Sequence, residues 1–102
     1  MTVRPDRIPC EVLGCRRTAA RTKYPVGTRI ICGKCWRLGE PADRQAFREA
    51  GRRMRELAYI EQLPDDQRET RLVRELVAAR RDVDAAWDRV KTQASEARAG
   101  IS

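Results

Sequence analysis

Four cysteines constrain this chain more than any other feature. They stand as Cys10 and Cys15 in "IPCEVLGC" and as Cys32 and Cys35 in "IICGKCW", a C-x4-C pair and a C-x2-C pair separated by sixteen residues. All four fall in the first 35 residues of a 102-residue chain. A tight turn between paired cysteines lets two thiolates converge on one ion, and zinc is satisfied by four soft ligands at about 2.3 Å in a tetrahedron. Gly33, inside the second pair, is a residue such a turn tolerates, since glycine can take φ > 0 without steric cost. Lys34 between the thiols, and Arg16 and Arg17 just after Cys15, can offset the negative charge of a four-thiolate zinc centre.

Other uses of four cysteines rank lower. Disulfides belong to oxidising compartments, and "MTVRPDRIPC" has no apolar stretch of a secretory signal. The protein is therefore expected to be cytoplasmic. A redox dithiol at Cys32 and Cys35 calls for a βαβ context that the surrounding sequence lacks. An iron–sulfur cluster would draw on the same four thiolates and stays open. Structural Zn2+ also answers a problem of size: residues 6–40 hold few large apolar side chains, too few to fold without a staple. Structural zinc contributes on the order of 10 kcal/mol or more to such a module. With all four positions taken by cysteine, the centre would be closed and architectural.

Between the two pairs, "RRTAARTKYPVGTRI" reads as a β-hairpin: Thr18 to Tyr24 extended, Pro25 and Gly27 turning the chain, Thr28 to Ile31 returning. A short helical turn from Lys34 to Leu38 would follow and stop at Gly39 and Pro41. The expected fold is thus a small α+β zinc module over residues 1–40, like a zinc ribbon or treble clef. Trp36 would cover the metal or dock the helices.

Taken together, "CEVLGCRRTA" and "IICGKCWR" resemble the small zinc-binding element of many bacteriophage and prophage proteins, some of them attached to HNH endonucleases. The resemblance covers residues 8–38. It implies that Cys10, Cys15, Cys32 and Cys35 are the metal ligands, Cys35 standing where many relatives have histidine. This chain contains no histidine, so HNH nuclease chemistry is not inherited.

From Pro41 the pattern becomes helical. Pro41 suits a first turn, Asp43 the positive end of the dipole, and Phe47, Ala50, Met54, Leu57 and Ala58 make one apolar stripe, for a helix over about 41–62. Arg44, Arg48, Arg52 and Arg55 fall within about 80° of one another, away from that stripe. Pro64 breaks the helix, and Asp66 with Glu69 has the spacing of a capping box. A second helix over about 66–97 is then lined by Leu72, Leu76, Ala79, Val83, Trp87, Val90 and Ala94, broadened by Val73 and Val77. An antiparallel two-helix hairpin over residues 41–102 follows, with Trp87 near Pro41 and Trp36. The longer second helix would leave Trp87 and Val90 near an end that the first does not cover.

Charge then points to a partner. Residues 1–40 carry nine Lys or Arg against three Asp or Glu, whereas residues 63–102 are balanced, so the net charge of +7 belongs mostly to the cysteine-bearing segment. Such a local excess suits a polyanion. The leading expectation is a small zinc-stabilised nucleic-acid-binding protein of phage or prophage origin, with DNA ranked ahead of RNA as the partner. Arg16, Arg17, Arg21, Lys23, Arg29, Lys34 and Arg37 would contact phosphates, and Arg44, Arg48 and Arg52 would extend the surface. The alternative is a protein-interaction module that binds a host or phage protein, or itself as a homodimer, through Trp87 and Val90 of the second helix. An enzyme is not expected: histidine is absent, serine occurs only at Ser95 and Ser102, and no glycine-rich phosphate loop appears. Neither a membrane span nor a small-molecule substrate is expected.

Overall fold

The computed structural model describes residues 6–100. Its elements run in the order β1 (Arg7–Pro9), β2 (Thr18–Ala20), a 3-10 turn (Arg21–Lys23), α1 (Gly33–Trp36) and α2 (Pro41–Leu57). Two 3-10 turns, Ala58–Gln62 and Asp65–Gln67, then lead to α3 (Thr70–Arg98). Ser102 and the first five residues lie outside the described residues. Contacts group the chain into two compact units: residues up to Glu40 together with those from Val90 onward, and Pro41–Arg89.

In the first unit the sheet differs from the expected hairpin. The strand at 18–20 pairs antiparallel with 7–9, in the register Arg7↔Ala20, Ile8↔Ala19 and Pro9↔Thr18, and not with 28–31. The cause is the first cysteine turn. Gly14, at φ +85°, takes the left-handed conformation that lets Cys15 N–H donate to Val12 C=O at 3.1 Å. The chain doubles back there, and Cys10 N–H meets Arg17 C=O at 2.9 Å, which extends the ladder into the turn. Residues 21–23, expected to be extended, coil into the 3-10 turn after Arg21 N–H has bonded Asp6 C=O. The turn at Pro25–Thr28 is present: Gly27 sits at φ +85° and Thr28 N–H donates to Pro25 C=O. The returning chain reaches the cysteine turn, with Glu11 N–H donating to Ile30 C=O at 2.9 Å.

The second pair is built differently from the first. Gly33 does not have a positive φ; it opens α1, with Cys32 as N-cap and Trp36 N–H on Cys32 C=O at 2.9 Å. The C-x2-C turn is therefore the first turn of a helix, which ordinary backbone angles satisfy. Gly39 is buried for a different reason. A Cβ added there would lie 2.7 Å from Val90 Cγ1, so only glycine lets the chain pass this close to α3.

In the second unit α2 and the first two-thirds of α3 run antiparallel. Asp43 near the start of α2 pairs with Arg89 at 2.6 Å, the Phe47 and Trp87 rings stand 5.6 Å apart, and Glu61 pairs with Arg80. Ala50, Ile60, Leu76, Ala79 and Ala86 are buried. The expected stripe holds through Leu57 and then fails at Ala58, which is exposed. There α-helix gives way to a 3-10 turn, whose different rotation per residue brings Ile60 inward instead. Val77 likewise stays exposed.

α3 begins at Thr70, four residues later than expected. Asp65 and Asp66 lie in a separate 3-10 turn, and the linker is held by Arg68, whose guanidinium donates to Leu63 C=O and Glu61 C=O. Glu69 supplies the first helical acceptor through its backbone, to Val73 N–H. At the other end Gly100, at φ +76°, closes the helix by bonding Ala97 C=O.

Candidate metal centre and basic surface

The first unit gathers four thiols at one point. Cys10 and Cys15 come from the turn after β1, Cys32 and Cys35 from the N-terminus of α1, and all four sulfurs lie within 4.8 Å of one another. All four are free thiols. Cys15 Sγ and Cys32 Sγ are 3.7 Å apart. That is far beyond a disulfide bond of about 2.05 Å, and it is close to the edge of a sulfur tetrahedron drawn at about 2.3 Å around one ion, which is about 3.8 Å. The four cysteines can hold a metal ion.

The sulfurs sit in a small apolar core. Cys10, Val12, Cys35 and Ala94 are buried, with Cys15, Ile31 and Cys32 packed against them. Donors approach the most buried sulfurs: Cys32 N–H reaches Cys10 Sγ at 3.4 Å, and Arg98 Nε–H reaches Cys35 Sγ at 3.0 Å. Acidity is correspondingly uneven. Burial, reinforced by the neighbouring thiols and opposed by Arg98, raises the Cys35 thiol to about 12. Burial also raises Cys10, with the Cys32 N–H opposing. At Cys32 burial acts in the same direction but is outweighed by the Cys35 N–H and by the other thiols, which bring it down to about 7. Four thiolates crowded this closely repel one another, and a divalent cation at their centre removes that repulsion.

The C-terminal part of α3 completes this unit, where a module ending at residue 40 was expected. Leu13 N–H donates to Ser95 Oγ at 3.2 Å, Glu40 N–H to Gln93 Oε1 at 2.7 Å, and Lys91 pairs with Glu11 at 3.6 Å. Val90 is fully buried against Gly39. It is therefore not an exposed docking residue, and the expectation of an uncovered helix end is corrected. Trp87 packs its ring on Phe47. A usable signal did exist, since Ala94 and Arg98 continue the face of Val90 at helical spacing; nothing in the sequence said what that face meets.

The basic residues divide. Arg16, Arg17, Arg21, Lys23, Arg29, Lys34 and Arg37 are all exposed. Arg29 is held by Glu11 through Nη2 at 2.9 Å, and Arg21 donates to Arg7 C=O at 3.2 Å. The side chains of Arg16, Arg17, Lys23, Lys34 and Arg37 make no hydrogen bond or ion pair among the described residues. Beside them Tyr24 is partly exposed and Val26 is fully exposed at the tip of the Pro25–Thr28 turn. In the second unit Arg44 is half-buried, Arg48 is engaged by Gln45 at 2.6 Å, and Arg52 faces Glu56 at 4.0 Å. Two of the four arginines of the expected row, Arg48 and Arg52, thus have partners on their own helix. No helix among the described residues is long and apolar enough to cross a membrane. No protein-family model, no curated protein and no solved structure matches the chain.

Proposed function

We propose that the chain is a small zinc-stabilised nucleic-acid-binding protein of the phage or prophage kind its cysteine motif resembles. One observation carries this reading: a thiol cage of the size that fits one tetrahedral ion is bordered within two residues by Arg16, Arg17, Lys34 and Arg37, all exposed and all without a partner among the described residues. The donor set favours zinc, because four sulfurs at tetrahedral spacing suit a single borderline-soft ion. An iron–sulfur cluster would place each thiolate on an iron of a larger core and so hold the sulfurs farther apart.

Zinc would carry no chemistry of its own here. Its role is to fix two turns and α1 so that their basic flanks stand ready without further ordering. Duplex DNA is the partner that fits this surface, through phosphate contacts from Arg16, Arg17, Lys23, Lys34 and Arg37. Tyr24 and Val26 add an apolar tip beside Lys23 that can approach sugars or base edges. Five phosphate contacts correspond to a log–log salt slope of about −4.5 on duplex DNA. Gel shifts and fluorescence anisotropy with zinc-loaded protein, from 50 to 200 mM salt, test this reading. A slope near zero, or no retardation of DNA at the low end, overturns it.

The reading as a protein-interaction module loses Val90, which is buried. What favours it now is a different pair of exposed apolar residues in the second unit, Tyr59 and Val77.

A further inference from the structure

The end of α3 supplies something that the cysteine-bearing segment lacks among the described residues. A four-thiolate zinc centre carries excess negative charge, and inside an apolar core that charge has to be met by donors and cations close by. Lys34 and Arg37 stand next to the cysteines in sequence, yet neither side chain bonds a sulfur among the described residues. The cation that does is Arg98, sixty-three residues beyond Cys35, with Nε 3.0 Å from its sulfur. Its placement is not incidental. Val90 and Ala94, earlier on the same helix face, are fully buried in the same unit, Ser95 Oγ accepts from Leu13 N–H inside the first cysteine turn, and Gly100 closes the helix just past Arg98.

We infer that Arg98 is an outer-sphere donor to the metal-bound thiolate of Cys35, so that the metal centre includes the last two turns of α3. This rests on the reading of the four cysteines as a metal site. The guanidinium orients one sulfur lone pair, leaves the others for the ion, and offsets charge on the most deeply buried of the four ligands. Arg98 is thus a positioning residue for the metal. The ion, in turn, ties α3 to the cysteine turns from within the same unit.

The test compares the full chain with Arg98→Gln and Arg98→Lys, each loaded with zinc or with cobalt(II). Chelator competition should show zinc held about 10- to 100-fold more weakly by Arg98→Gln. Arg98→Lys should recover part of that loss, because the charge is kept while the flat Nε donor is not. In the cobalt-loaded proteins the thiolate-to-cobalt charge-transfer band should move to lower energy in Arg98→Gln, since a sulfur stripped of its donor is easier to oxidise. A merely structural arginine would not move that band. Equal affinity and an unchanged band in Arg98→Gln overturn the inference. So does a loss of affinity, equal in both variants, with the band unmoved. If the native chain takes up neither metal, the metal reading itself fails, and the inference with it.

Discussion

Gly39 and Val90 meet so closely that a single added carbon does not fit: a Cβ at residue 39 would stand 2.7 Å from Val90 Cγ1 and 3.2 Å from Cγ2. Valine branches at Cβ and has no flexible end to swing aside. Gly39→Ala should therefore destabilise the protein by about 1–3 kcal/mol, seen as a lower midpoint in thermal or urea unfolding. Val90→Ala in the Gly39→Ala background should cost less than Val90→Ala alone, and a double-mutant cycle reads that coupling directly. Val90→Asp places a charge at a fully buried position and should prevent the first unit from folding.

Removing the metal should affect the two units unequally. The core of the first unit is built from the thiols themselves, Cys10 and Cys35 being buried beside Val12 and Ala94, whereas the second has Ile60, Leu76, Ala79 and Ala86 of its own. Chelation, or Cys35→Ser, should collapse the dispersion of amide NMR signals from residues 6–40. Signals from 41–89 should stay largely in place. Uniform loss across both would show that the second unit has no independent stability.

Metal affinity should fall as the solution is acidified, because the ligand is the thiolate. Burial holds Cys10 and Cys35 protonated in the metal-free chain at neutral pH, Cys35 up to about 12, so binding must displace those protons. Cys32, at about 7, is mostly ionised above that value and protonated below it. The number of protons released on binding should then rise by about one as pH drops through 7, and affinity should fall more steeply on the acid side. Titration calorimetry in buffers of different ionisation enthalpy measures both. A proton count that stays constant across pH 7 would contradict the assignment of Cys32.

Charge removal should separate free arginines from engaged ones. Arg16→Ala with Arg17→Ala deletes two phosphate contacts and should make the salt slope shallower by about 2, lowering DNA affinity regardless of sequence. Arg48→Ala, in a side chain already held by Gln45, should change the slope little.

Asp43 and Arg89 form a partly exposed pair at 2.6 Å near the N-terminus of α2. Asp43→Ala loses the pair and a favourable charge at the helix dipole, and should cost about 0.5–1.5 kcal/mol in urea unfolding. High salt should shrink that difference.

Much of the candidate site was legible in the residues alone, for a physical reason. Thiols at close spacing have few uses, so C-x4-C and C-x2-C already implied one shared centre, and the structure brings those four sulfurs within 4.8 Å. Helical period likewise disclosed α2 and α3, because an apolar stripe recurs only where one face is covered. Strand pairing was not legible. Thr18–Ala20 had two possible neighbours, and the choice of Arg7–Pro9 was made by the fold-back at Gly14, a tertiary event that local propensity does not encode.

Chemistry and period could be read from the residues: four closely spaced thiols, a basic first segment, two amphipathic helices. Which distant residues share a place was fixed on folding. Val90 looked like an exposed helix end and is buried against Gly39; Arg98, one residue past the expected end of the second helix, reaches Cys35. A helix face announces that it will be covered, but the identity of its cover depends on where chain segments far apart in sequence come together, and only the folded chain fixes that.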